Sequence, residues 1–486
     1  MSPVLKADHH HLSESYLRIK VDFRPAIRPT SLCRQVTAQG LVTVEPVAAC
    51  RWAPGSEAVL EGIPFFINLP VSISRLCSAQ MKVLVWATTF GADLWSFVKY
   101  LSNRPDVKVK VVMDDPETFL RQGVAKLYPL EVDFVRRQAV HQLFGVRSFN
   151  PDVTVMDNHV PVGRTAPKGF MVWHGFGWRG PNDEKEFWWL HKSLRRAWGD
   201  VREPNPNFLW QCFGPWDFEH RTTVSRIHPE NCAVLGAASH DDLRAPIDRA
   251  LAQPFYPFDI LGRMTVLIAP TWHYGDPFAH WRGVPDLLDR LLKKISDRGA
   301  NVIIRLHDSY RFEPNYRRRL NELPQRYPNV LVEFKDKAPD NYLDMQIADV
   351  LVTNFSSIAN LFYATRRPSI HIFPVSDADV EYSWRRYTVA GVRTKTVKHA
   401  RDLWKMPLEE NGGLVSYSFD ELVVQLDKAL DEPTCCADRA AGFLDRYMLG
   451  ADGRTCERMW EALRGLVEGR GSRLESSLTA EGTSSS

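Results

Sequence analysis

Residues 348–364, Ala-Asp-Val-Leu-Val-Thr-Asn-Phe-Ser-Ser-Ile-Ala-Asn-Leu-Phe-Tyr-Ala, decide the fold. The apolar run 350–353 is too short for a helix and reads as a strand covered on both faces. It stops at the polar Asn354, and Ser356 and Ser357 then open an apolar stretch with the length and spacing of a helix. Strand, polar turn and helix in that order make one unit of a parallel sheet with crossover helices.

Comparable units lie on both sides. Apolar runs at 265–269, 302–306, 330–334 and 369–373 belong to the same series. An earlier series starts abruptly at 81–87, Met-Lys-Val-Leu-Val-Trp-Ala, leads into an amphipathic stretch at 92–101, and continues at 107–113, 153–156, 170–173 and 208–213. Two such series, meeting near the Pro- and aromatic-rich residues 244–262, predict an α/β protein of two Rossmann-like, doubly wound domains. The expected boundaries are 81–250 and 251–450, with a helix at 451–468. Residues 1–80 lack any sustained period and are expected to be a poorly ordered extension, and the Ser-, Gly- and Glu-rich tail 469–486 is expected to be disordered.

Composition sets limits without choosing a function. The chain has 486 residues, 44% hydrophobic and 24% charged, which suits an ordinary globular protein of two domains. A formal charge of +3 is too weak to argue for nucleic acid. Eight Cys without CxxC spacing read as reduced thiols, no metal site is indicated, and no apolar run reaches the length of a membrane span. The amino terminus carries no basic start followed by an apolar core, so a cytoplasmic protein is expected.

In open parallel sheets, ligands bind beyond the carboxyl ends of the strands, so the polar residues that follow each apolar run are the first candidates. In the second series these are Thr271 and His273, Arg305 and His307, and Asn354, Ser356 and Ser357. The serine pair before a helix offers hydroxyls and backbone amides to an anion such as a diphosphate, although a serine there also serves as a plain helix cap. Arg305 and His307 have an equally simple alternative as a strand-end pair satisfied by neighbouring carboxylates or carbonyls. In the first series, His174 stands at a strand end in Trp173-His-Gly-Phe-Gly-Trp-Arg-Gly180, where it is a candidate general base or a buried structural histidine. Gly175 and Gly177 beside it would let backbone approach a ligand. Asp114 and Asp115 read as a cap for the turn at Pro116.

Placed on a helix, residues 187–202 put Phe187, Leu190, Leu194, Ala197, Trp198 and Val201 on one face and Lys192 and Arg196 opposite, with Arg195 and Arg202 on the flank. Either this face packs on the domain core, or the helix meets an anionic membrane surface with Lys192, Arg195 and Arg196.

Taken in order, WHGFGWRG (173–180), LIAPTWHYGD (267–276), VIIRLHD (302–308) and ADVLVTNFSSIANLFYATRRPSI (348–370) resemble the CDP-glycerol glycerophosphotransferase family of teichoic-acid-type polymer synthesis. The resemblance implies a GT-B fold, two Rossmann-like domains facing a cleft. It also implies transfer of glycerol phosphate, or a related polyol phosphate, from a CDP-linked donor to a hydroxyl of a polymer or lipid-linked acceptor, with release of CMP and no cofactor. His174 would match the family's base on the acceptor, Arg305 and His307 its basic pair, and Ser356 and Ser357 its phosphate-holding serines. The chain departs from the family pattern at Asn354, where Asp is usual, at His273, where Arg is frequent, and at Asp308, where Pro is usual. A lipid-linked acceptor would bring the protein to the inner face of the plasma membrane as a peripheral enzyme. The alternatives of the same architecture are a glycosyltransferase or a sugar-nucleotide epimerase; from another class, a catalytically silent scaffold in polymer assembly.

Overall fold

In a computed structural model, placement is described for residues 80–88, 90–138, 146–157, 159–172, 187–271, 286–306, 314–334, 341–354, 356–373, 382–388, 391–397 and 406–470. Residues from Gln80 onward lie in one compact unit. The expected extension 1–80 and tail 469–486 fall almost wholly outside the described residues, as do His174, Gly175, Gly177, His273 and His307.

The first sheet contains β1 (Met81–Trp86), β2 (Val107–Met113), β3 (Asp133–Arg136), β4 (Val153–Met156), β5 (Lys168–Met171), β6 (Phe208–Cys212) and β7 (Cys232–Val234). Their order is β3-β2-β1-β4-β5-β6-β7, with every pairing parallel. The second sheet uses β8 (Thr265–Ile268), β9 (Asn301–Leu306), β10 (Val330–Phe334), β11 (Val350–Thr353), β12 (Ser369–Ile372) and, beyond an antiparallel hairpin of β13 (Tyr382–Thr388) and β14 (Gly391–Val397), β15 (Leu414–Ser416). Its order is β10-β9-β8-β11-β12-β15, again all parallel. Each sheet therefore winds one way from its first strand and the other way from its fourth, the doubly wound pattern. The central strands are apolar because helices cover both faces: β4, β8, β11 and β12 are buried throughout.

Six helices position the rest. They are α1 (Ala92–Ser102), α2 (Trp188–Ala197), α3 (Ala238–Leu243), α4 (Tyr342–Ile347), α5 (Ile358–Phe362) and α6 (Thr455–Glu468). One apolar core runs from α1 and β1 of the first half through α4 and α5 of the second to α6. Between the halves Trp95 lies 4.6 Å from the ring of Tyr342, and Lys99 pairs with Asp242. The last helix returns to the first half: the Asp241 carboxylate accepts hydrogen bonds from the backbone amides of Thr455 (3.0 Å) and Cys456 (2.7 Å), and Arg104 stacks 4.5 Å from the Trp460 ring.

Two sequence expectations meet specific outcomes here. Asp115 caps the short helix Pro116–Leu120, its carboxylate accepting from the Thr118 amide at 3.1 Å. The apolar face of α2 and its flanks turns inward: Phe187, Leu190, Leu194, Ala197, Trp198 and Val201 are all at most 6% exposed. They form a core with Phe208 and Trp210 of β6, so that face is unavailable to a membrane. What α2 presents to solvent is Trp188 (67% exposed), Trp189, Lys192, Arg195 and Arg196, with Lys192 over the Trp188 ring at 5.4 Å and Arg195 paired to Asp200.

Candidate functional site

The strand order of the second sheet reverses between β8 and β11, so their carboxyl ends flank the crevice where ligands of doubly wound sheets bind. Thr271 and Asn354 occupy those two ends and are joined directly. The Asn354 side-chain oxygen accepts from the Thr271 amide at 2.7 Å, and its Nδ2 donates to the Thr271 carbonyl at 3.4 Å. Below them, the Thr353 hydroxyl donates to the Ala269 carbonyl at 2.8 Å. An amide side chain answers both the donor and the acceptor of Thr271, whereas a carboxylate would face that carbonyl with a second acceptor. Asn354 is thus a brace across the crevice.

The first sheet repeats the arrangement. Its reversal lies between β1 and β4, and there the Asp157 carboxylate accepts from the Thr88 amide at 2.8 Å. Sequence reading missed Asp157, since nothing local marks a carboxylate that binds an amide 69 residues away.

Ser356 and Ser357 follow Asn354 at the same edge of the second sheet, both partly exposed. Ser357 is the residue before α5, and its hydroxyl does not bond back to the helix; Ser356 contributes its carbonyl, which accepts from the Ala359 amide at 3.2 Å. The capping alternative is therefore not what the hydroxyl of Ser357 does. The structure brings Thr271, Asn354 and the serine pair together.

Arg305 sits apart from that group, in a largely buried ionic cluster. Its Nη1 donates to Glu333 Oε2 at 2.9 Å and to Asp344 Oδ2 at 2.7 Å, and the Tyr256 hydroxyl donates to Asp344 Oδ1 at 2.8 Å. Arg305 and Glu333 are register partners on β9 and β10, while Asp344 comes from α4. Burial raises both carboxylates above their usual range and the Arg305 charge opposes the rise. The cluster anchors the end of β9, from which His307 follows one residue beyond the described strand.

Two histidines that sequence reading passed over hold the serine segment in place. His371 on β12 has Nδ1 3.0 Å from the Asn354 carbonyl and Nε2 2.8 Å from the Tyr363 hydroxyl. His240 on α3 places Nε2 3.0 Å from the Asn360 carbonyl of α5, across the boundary between the halves. Burial pushes both rings down to about 4, so each is neutral near pH 7. Among the described residues no cluster of His, Cys, Asp or Glu could hold a metal ion, and no helix is long and apolar enough to cross a membrane.

Comparison with known proteins locates this geometry. Residues 259–464 match the family CDP-Glycerol:Poly(glycerophosphate) glycerophosphotransferase. A solved structure of the wall teichoic acid polymerase TagF aligns with a TM-score of 0.55 at 16% identity, covering 80% of this chain and 89% of that one. A variant of TagF soaked with CDPG aligns with a TM-score of 0.54 at 16% identity, covering 81% and 90%. At such identity the likeness establishes the shared two-sheet, GT-B-type fold. No curated protein sequence matches. Residues 259–464, the second sheet with its serine-bearing crevice and the helices that follow, belong to the CDP-glycerol:poly(glycerophosphate) glycerophosphotransferase family.

Proposed function

We propose that this protein is a transferase that moves glycerol phosphate from CDP-glycerol to a hydroxyl of a cell-envelope polymer or lipid-linked acceptor, releasing CMP. The observation that carries the reading is the family match over the half that holds Ser356 and Ser357 at the reversal of the strand order. In the reaction an acceptor hydroxyl attacks the donor's β-phosphorus in line. The new oxygen–phosphorus bond forms as the bond to the bridging oxygen breaks, CMP takes that oxygen's electron pair, and the hydroxyl proton passes to a base.

The serine hydroxyls donate hydrogen bonds to donor phosphate oxygens, joined by His273 and His307, which lie just past β8 and β9 in sequence. Thr271 and Asn354 hold the crevice open at its braced width. Arg305, committed to Glu333 and Asp344, acts by fixing the end of β9. His174 is the base on the acceptor, and Gly175 and Gly177 give the acceptor close backbone approach. Charge on the transferring phosphoryl group is met by preplaced donors, and the reading requires no metal. The protein meets a lipid-linked acceptor from the cytoplasmic side, through the exposed Trp188, Lys192, Arg195 and Arg196 of α2.

The test is nucleotide release by the purified full chain from CDP-glycerol and CDP-ribitol against UDP-sugars, with donor affinity measured by calorimetry. CMP is the expected product; UDP release instead would assign a glycosyltransferase or epimerase of the same architecture, and tight donor binding without turnover a silent scaffold. Ser356→Ala with Ser357→Ala is expected to weaken donor binding, by about 1.5 to 3 kcal/mol for each charge-assisted hydrogen bond removed. Unchanged affinity would remove the serines from the donor site.

A further inference from the structure

Resting on that reading of the serine pair, we infer that His371 is a positioning residue for the donor site: one neutral imidazole clasps both ends of the segment that carries Ser356 and Ser357. The segment leaves β11 at Asn354, passes the serines, and runs through α5 to Tyr363. His371 stands beside Thr353 in the β11–β12 register, and its two ring nitrogens reach the two ends of that segment. A carbonyl only accepts, so the bond to the Asn354 oxygen requires the proton on Nδ1. The lone pair of Nε2 is then left to accept from the Tyr363 hydroxyl.

From Asn354 the clasp continues across the crevice through the amide brace to Thr271. Its members are shut away from water, with His371 and Asn354 at 2% exposure and Tyr363 at 0%. Tyr363 cannot back away from the ring: its own ring lies edge-on to Phe443 at 4.9 Å, and a Cβ on Gly412 would come within 2.7 Å of it. An apolar side chain at position 371 would fill the same space between β12 and α5 without fixing the Asn354 carbonyl. The polar pair supplies direction, which the turn needs if two short hydroxyls are to meet phosphate oxygens.

His371→Phe keeps the volume and removes both bonds. It is expected to raise the KM and Kd for CDP-glycerol by about tenfold to a hundredfold, with kcat and the acceptor KM little changed, since the chemical step lies elsewhere. His371→Asn, whose amide can replace Nδ1 as donor to the carbonyl, is expected to recover most of the affinity. Tyr363→Phe is expected to give a smaller loss of the same kind, and it keeps the test valid if His371→Phe does not fold. Hydrogen exchange reports on the clasp without any donor: amides of residues 354–363 should exchange faster in His371→Phe and Tyr363→Phe, with the rest of the second sheet unaltered. If wild type binds CDP-glycerol and the variants bind it equally well, or if exchange in that segment does not change, the clasp is overturned. If wild type itself binds no CDP-glycerol, the functional reading fails and the exchange measurement still decides the clasp.

Discussion

Arg305 offers the sharpest test of whether a strand-end cation serves the fold or the ligand. Its side chain is 9% exposed, against 7% for Asp344 and 27% for Glu333. In Arg305→Met the aliphatic volume remains and the charge goes, leaving two buried carboxylates and the Tyr256 hydroxyl as their remaining described donor. Removing one partner from a buried ionic group typically costs about 3 to 5 kcal/mol, and the more solvated Glu333 places the expectation at the lower end. The cost should depend on pH with a definite sign. Without the cation, burial alone acts on Glu333 and Asp344 and raises their folded pKa values further above the unfolded ones. Stability is then fully present only below the unfolded carboxylate range and is lost as pH rises through the folded values. Urea unfolding followed by tryptophan fluorescence should therefore show a gap between wild type and variant that is wide at pH 8 and narrower at pH 5. Adding Glu333→Gln and Asp344→Asn should recover much of the stability, because a cluster neutralised as a whole leaves no buried charge unpaired. A variant as stable as wild type that has lost donor affinity would refute the anchoring role and return Arg305 to the phosphate.

Acid should weaken the wild-type fold through His240 and His371. Each is pushed down to about 4 from an unfolded value of about 6.5, so each contributes about 3 kcal/mol that is present above pH ~6.5 and lost as pH falls toward 4. Asp93, pushed up to about 6 by burial, works against this over the same interval, leaving a net loss of about 3 kcal/mol. A urea midpoint that stays flat or rises between pH 7 and 4.5 would contradict it. At the membrane, sedimentation with vesicles rich in anionic lipid should weaken with salt and with Lys192→Glu plus Arg196→Glu, at about 1 kcal/mol per cation. Equal sedimentation of wild type and the double variant would remove α2 from the membrane-facing surface.

The central strands were legible in the sequence because burial on both faces leaves uninterrupted apolar runs, such as Val-Leu-Val at 350–352 and Val-Ile-Ile at 302–304. The edge strands were not. β3 (Asp-Phe-Val-Arg), β7 (Cys-Ala-Val) and β15 (Leu-Val-Ser) are short and mixed, since an edge needs less apolar surface. Strand ends named the crevice residues correctly as a group, but not what each one bonds. Asn354 looked like a ligand and is a brace; Arg305 looked like a phosphate partner and is held by carboxylates 28 and 39 residues further along. His371 and Tyr363 stood inside apolar runs and carried no local sign of their pairing. Each of these bonds joins two sheet elements, so its signal exists only once the topology is known.

The same long-range bonds constrain how the two halves can move. Domains joined by small polar interfaces rotate readily, whereas a large apolar interface resists rotation. Here one core is continuous from β1 and α1 to α4, α5 and α6. Lys99 pairs with Asp242, the Gln346 amide donates to the Asp242 carbonyl at 2.9 Å, and His240 donates to the Asn360 carbonyl beside the serine segment. Helix α6 then ties the chain's last element to the first half through Asp241. Rotating one half on the other would expose that core and strip the buried His240 of its acceptor, a cost no single hydrogen bond to a ligand offsets. Asn360 lies three residues past Ser357, so the bond that locks the halves also bears on the segment that carries the serines. The braced crevice of the second sheet is therefore set against the first as a preformed surface, and donor and acceptor must be brought to it by the connections that follow the strands.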